Sequence, residues 1–194
     1  MGLVEVQKTL AQLYTSRELR EKFLASPKAV AKDLGLNPKD LEQLTQLSTF
    51  HLREFSESLN YKRMGEVRDL LPFTSKSLKT KFSELFLKFA DTYLPSGVKK
   101  HRDDAIAFAE FIIKSSDVST LCKEIAIYES TRLKLGESSN VLIFKRFHFH
   151  LKRIFFQLLQ SQEPVVEKKL TLAIWVRLPG KKTWNHYLLS FPGS

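Results

Sequence analysis

An α+β fold is predicted, with an N-terminal all-helical bundle followed by a small C-terminal strand–helix–hairpin module. Three observations predict it. Proline, glycine and capping residues punctuate residues 1–137 at helix-sized intervals. Apolar residues there recur every three or four positions, the period of a helix with one buried face. After Glu137-Ser138-Ser139-Asn140 the period drops to two, the spacing of a strand. The expected organisation is a helical domain over 1–137 and a βαββ-like module over 140–194.

The first helices are marked by their ends. Ser16 precedes Arg-Glu-Leu, and Ser26 precedes Pro27, an N-cap followed by proline at the first helical position. Gly35 closes that helix, and Asn37-Pro38 with Asp40 opens the next in the same manner. A longer helix over about 49–71 puts Leu52, Phe55, Leu59, Val67 and Leu70 on one stripe and stops at Pro72, which lacks an amide proton. Leu78, Phe82, Leu85, Phe86, Phe89 and Tyr93 predict a strongly amphipathic helix over about 75–94, broken by Pro95-Ser96-Gly97. Residues 103–114 are apolar on nearly every side and predict a central helix, with Asp103 and Asp104 in its first turn, where the dipole favours negative charge. A last helix over about 118–135 stops at Gly136 and carries the single cysteine, Cys122, which reads as a core residue.

Past that point, Val141–Leu151 sets Phe147, Phe149 and Leu151 on one strand face and His148 and His150 on the other. Residues 152–160 suit a short helix. Two further strands, 170–178 and 183–191, flank Pro179-Gly180-Lys181-Lys182 as a hairpin.

The chain of 194 residues is 43% hydrophobic, enough to bury a core. No apolar run approaches the roughly 18–20 residues of a membrane span. The start lacks the basic and apolar regions of a signal peptide, and one cysteine precludes an internal disulfide, so a cytoplasmic setting is expected. No Gly-rich phosphate loop, GxSxG or HExxH occurs, so no catalytic residue and no cofactor is assigned. His148, His150 and His186 are the only cluster resembling metal ligands; residues 141–162 contain neither Asp nor Glu to join them, and no metal is assigned.

Charge is the feature that speaks to function. The formal net charge is +10, and the excess sits in two blocks: residues 62–102 carry 10 bases and 4 acids, and 141–194 carry 9 and 2. Such a field speaks to partners rather than to fold. In the first block Lys62, Arg68, Lys76, Lys79, Lys81, Lys88, Lys99, Lys100 and Arg102 form a candidate binding surface. Arg63 and Arg132 fall on apolar helical stripes, as anchors for a partner's anion or as members of internal ion pairs with Glu66 or Glu129. In the second block Trp175, Arg177 and Trp184 are candidate contacts, because an exposed strand edge accepts a peptide as an added strand. The alternative is that both tryptophans cover the sheet's core face.

The stretch from Tyr61-Lys62-Arg63 through Leu70-Leu71-Pro72-Phe73, Phe82, Phe89-Ala90 and Tyr93-Leu94-Pro95 follows a known pattern, continued by Asp104–Phe111 and Ile127-Tyr128-Glu129. It resembles the helical domain of bacterial proteins that carry a DNA-binding-domain label. Their genes commonly neighbour those of multinuclear non-haem iron oxidative enzymes that modify ribosomally made peptides. A shorter subgroup is similar at Leu13-Tyr14-Thr15, Leu19–Pro27 and Leu34-Gly35-Leu36, and in a final sheet like Leu172–Gly180. The resemblance implies a companion that recruits a precursor peptide to a separately encoded metalloenzyme, and it carries no catalytic residue. It also implies that Tyr61–Arg63 and Tyr128–Glu129 are helix-packing positions that bring Arg63 to Glu129.

The function expected is therefore a non-catalytic adaptor for an acidic peptide or protein partner. The alternative is a nucleic-acid-binding regulator acting through the basic helical face of 62–102, although no zinc finger, RNP motif or KH loop supports base readout. The oligomeric state is not legible.

Overall fold

The computed structural model describes residues 3–46, 49–93, 100–137, 141–178 and 183–191. It is helical through its N-terminal region, with a small three-stranded antiparallel sheet near the C-terminus. The chain forms two compact units, Met1–Gly65 with Ala90–Leu94, and Glu66–Phe89 with Pro95–Ser194.

In the first unit, α1 (Leu3–Thr15), α2 (Arg17–Ala25), α3 (Pro27–Asp33) and α4 (Pro38–Thr45) enclose Val6, Leu13, Phe23, Val30 and Leu44. The caps follow the sequence. The Ser16 hydroxyl accepts from the Leu19 amide at 3.2 Å, and the Asn37 carbonyl oxygen accepts from the Asp40 amide at 2.8 Å. Ser26 holds the N-cap position of α3 without a side-chain bond, while Pro27 and Pro38 begin their helices. Gly35 takes φ of +67°, a conformation that costs other residues more. Buried Arg20 donates to the Leu13 carbonyl at 3.0 Å and to the Ser56 hydroxyl at 2.7 Å, while its Nε finds no hydrogen-bond partner among the described residues.

Helix α5 (Thr49–Leu70) buries Leu52, Ser56, Met64 and Val67. Phe55, expected on that stripe, is half exposed and packs its ring 4.3 Å from that of Tyr14. The single helix expected over 75–94 is two: α6 (Pro72–Leu78) and α7 (Thr80–Ala90). Lys79 between them adopts φ of +53°, which no continuing helix allows. The break gives the two segments different neighbours. Phe82, Phe86 and Phe89 of α7 set their rings 5.1–5.3 Å from Phe108 of α8 (Lys100–Lys114), whereas α6 packs on α9 (Thr120–Lys134). Cys122, expected in the core, is only partly buried, its Sγ 3.7 Å from the Ser77 carbonyl oxygen.

Helix α9 organises the second unit through two buried carboxylates. Glu129, fully buried, accepts from the amides of Phe73 at 3.0 Å and Thr74 at 2.8 Å, in the first turn of α6. That helix has no side-chain cap of its own, so Glu129 supplies an acceptor for amides a helix start leaves unpaired. Burial nevertheless pushes the Glu129 carboxyl above its ordinary pKa, against the pull of these amides and of Arg132. Glu124 accepts from the His148 amide at 2.9 and 3.1 Å, tying α9 to the sheet.

The sheet is ordered β1 (Leu142–Phe149), β2 (Lys168–Val176), β3 (Asn185–Ser190), all antiparallel. Helix α10 (Leu151–Leu159) lies between β1 and β2 in sequence. Leu151 begins this helix rather than ending the strand, as its buried position there explains. Register sets Phe147, Phe149, Thr171, Ala173 and Trp175 inward, and they form one core with Leu121, Ile125 and Tyr128 of α9 and Ile154, Phe155 and Leu158 of α10. The expected hairpin turn at 179–182 and the break at 95–97 lie outside the described residues; the antiparallel β2–β3 pairing is the one a hairpin produces.

Replacing Phe108 by Ala should lower the unfolding free energy by about 3–5 kcal/mol, because three rings lose their shared partner. Urea denaturation checks this. Glu129→Ala should cost roughly 2–4 kcal/mol by leaving two amides unpaired. Glu129→Gln tests the charge. A carboxyl with a raised folded pKa binds more protons folded than unfolded above about pH 4, so its contribution is full below that and declines as pH rises. The deficit of Glu129→Gln relative to wild type should therefore shrink between about pH 4 and pH 7.

Candidate functional site

The basic residues of 62–102 are heavily engaged. Lys79 pairs with Glu163, Lys81 with Asp117, and Arg102 with Asp103 at 3.5 Å. Lys76 Nζ donates to the Leu158 carbonyl at 3.1 Å. The Arg68 guanidinium lies over the Phe82 ring, 5.5 Å from its centroid, and donates to the Ser83 hydroxyl. Lys62, in the first unit, and Lys88 and Lys100, in the second, are exposed, and Lys99 lies outside the described residues.

The expected anchors also have partners of their own. Arg63 is half-buried and donates to the Tyr93 carbonyl at 3.0 Å and the Asn60 side-chain oxygen at 3.4 Å. Glu129 caps α6, so each member of the anticipated Arg63–Glu129 pair is held elsewhere. Arg132, placed by its spacing on the apolar stripe of α9, is exposed.

Within the sheet, Trp175 is 1% exposed and belongs to the core, stacked against His186 at 5.9 Å. Trp184 is partly buried; its indole N–H donates to the Leu135 carbonyl at 3.1 Å, and its face takes the Arg177 guanidinium at 5.1 Å. The tryptophans thus line the core side, the alternative weighed above.

The two outer strands differ. β1 carries a register shift at His148, whose amide is taken by Glu124. A bulge and a carboxylate are two devices that close a sheet edge. β3 reads Asn-His-Tyr-Leu-Leu-Ser, with no proline and no Lys, Arg, Asp or Glu, and among the described residues no strand pairs with its outer edge.

The outward face of the sheet is largely apolar, and among the described residues nothing covers its large side chains. Cross-strand rows run Leu142–Val176–Asn185, Phe144–Ile174–Tyr187 and Arg146–Leu172–Leu189. Phe144 is 68%, Tyr187 54% and Leu189 46% exposed. Contiguous exposed apolar area of this kind marks an interaction site more often than scattered leucines do. Lys145, Arg146 and Lys168 are exposed and make no ion pair among the described residues. Both acids of the module are already paired, Glu163 with Lys79 and Glu167 with Arg153 and His150.

On the inward side, a cavity of about 700 Å³ opens beside β3, lined by His186 and Leu188 of β3, Tyr128, Phe73 and the α10 residues Lys152, Arg153, Phe155, Phe156 and Leu159, with His150 at its start. The Tyr128 hydroxyl and His186 Nε2 are 2.6 Å apart. Burial pushes the phenol up to about 12 and lowers the imidazole, the latter aided by Arg132, so both are neutral at pH 7. The two neutral groups share one hydrogen bond, whose direction is set by the imidazole tautomer. Nothing in the sequence signalled this pair, which joins residues 58 positions apart.

His148, His150 and His186 have different partners: Glu124, Glu167 and Tyr128. Among the described residues no three His, Cys, Asp or Glu side chains come together to hold a metal ion. No described helix is long and apolar enough to cross a membrane. No model of a known protein family and no curated protein matches the chain.

His186 yields a test of the pair. Its lowered folded pKa means that the unfolded chain binds more protons below about pH 6.5, so its contribution to stability is full above that value and falls as pH falls. The melting temperature of wild type should drop more than that of His186→Phe between about pH 7 and pH 5.5. Equal drops would show that His186 is not held neutral.

Proposed function

We propose that the chain is a non-catalytic adaptor that holds an acidic peptide, added as a strand along β3. The observation that carries this reading is the open, uncharged edge of β3 in a module whose only acids are already paired. A main-chain ladder supplies affinity without demanding a sequence, and the module's excess of bases acts at longer range to draw in an acidic partner and raise its on-rate. The engaged state of Lys76, Lys79, Lys81 and Arg102 weighs against a phosphate-binding face on 62–102, because a neighbouring carboxylate or carbonyl already offsets part of the charge a phosphate would meet. The family resemblance suggests the finer reading, a precursor peptide presented to a separately encoded metalloenzyme.

The adaptor and nucleic-acid readings separate in one binding series. A labelled acidic peptide of alternating residues and a labelled DNA duplex are titrated at low and moderate salt. Lys145→Glu with Arg146→Glu and Lys168→Glu should weaken peptide binding about tenfold, and Lys81→Glu with Lys88→Glu should leave it nearly unchanged. Steeply salt-dependent DNA binding that is lost on reversing Lys81 and Lys88, with no peptide binding, would replace this reading by the nucleic-acid one.

A further inference from the structure

The cavity beside β3 is placed where the side chains of an added strand would fall. Thr171, Ala173 and Trp175 point into the core, and their partners across the β2–β3 ladder are Ser190, Leu188 and His186. A strand laid along the outer edge of β3 would carry this inward face one strand further, with every second side chain directed over α10. Two residues of α10 that line the cavity, Phe156 and Leu159, are 60% and 63% exposed, although the same helix buries Ile154, Phe155 and Leu158. An apolar floor therefore extends past the last strand of the sheet.

We propose that this cavity is the specificity pocket for the bound peptide, taking one large apolar side chain while Lys152 takes a carboxylate from an alternate residue of the same strand. The proposal rests on the strand-addition reading above. The walls favour an apolar group: Phe73, Phe155, Phe156, Leu159 and Leu188 dominate the lining, and the Tyr128 hydroxyl is occupied by His186. The charge is one-sided. Lys152 and Arg153 line the cavity, and among the described residues no carboxylate does. Arg153 is held at 3.0 Å by Glu167, whereas exposed Lys152 makes no ion pair among the described residues. The recognised chemistry is then an extended segment with an aromatic or large aliphatic residue and an acidic residue on the same strand face.

Synthetic labelled peptides of equal composition test this. In one, phenylalanine and glutamate are two positions apart, on one face; in the other they are three apart, on opposite faces, with threonine elsewhere. Fluorescence anisotropy should show the same-face peptide binding about tenfold tighter, the gain of burying one large apolar side chain. Phe156→Ala with Leu159→Ala should remove that preference. Both residues are exposed, so near-ultraviolet circular dichroism should report an intact core. Lys152→Gln should remove the preference for the same-face glutamate over glutamine. Equal binding of the two isomers by wild type, or a preference that survives in the Phe156/Leu159 variant, would overturn the pocket. A proline-substituted peptide reports on the underlying reading. If proline abolishes binding while the isomers bind alike, strand addition stands and the pocket fails; if proline has no effect, or no peptide binds, both fail.

Discussion

The second unit depends on the two carboxylates that α9 buries against backbone amides. Glu129 takes the first-turn amides of α6, and Glu124 takes the His148 amide of β1. Burying a carboxylate is costly unless its oxygens are fully engaged, and amides of a helix start or a bulged strand are the donors that ordinary secondary structure leaves over. One helix thereby fixes the position of α6 on one flank and of the sheet on another. Between those fixed points Tyr128 and Ile125 of α9 meet Trp175, Phe147 and Phe155 in a common core.

That arrangement decides which parts of the sheet are left for a partner. Glu124 occupies the edge of β1 at its bulge, and the inward face is filled by α9 and α10. The outer edge of β3, the outward face and the cavity beside α10 remain. Apolar side chains stay uncovered at each of these places: Phe144 and Tyr187 outward, Phe156 and Leu159 beside the edge. A natural sheet ordinarily blunts such an edge with charge, proline or a bulge, and β3 has none of these devices. The cost is tolerable when the edge is the working surface.

Much of the fold was legible because local signals dominate it. The serine and asparagine caps, the proline starts and the switch from helical to alternating period each reflect backbone chemistry within a few residues. The break at Lys79 was not legible: α6 packs on α9 and α7 on Phe108 of α8, and both neighbours lie far along the chain. The same holds for the site. Counting charge along the chain located two basic blocks, but pairing Lys79 with Glu163 and Lys81 with Asp117 needs the tertiary fold. Arg132 follows the stripe of α9, which stays buried at Leu121, Ile125, Tyr128 and Leu135, yet its long side chain reaches water. The histidines seemed isolated from carboxylates because Glu124 reaches His148 across 24 residues.

The central claim is that an acidic peptide lies along β3, and amide hydrogen exchange reads that claim at the backbone itself. On adding a saturating acidic peptide of alternating residues, slowed exchange should concentrate in Asn185–Ser190 and in the α10 segment beside it, with the basic helices α7 and α8 unchanged. Unchanged exchange in β3 alongside slowed exchange in α7 and α8 would contradict it.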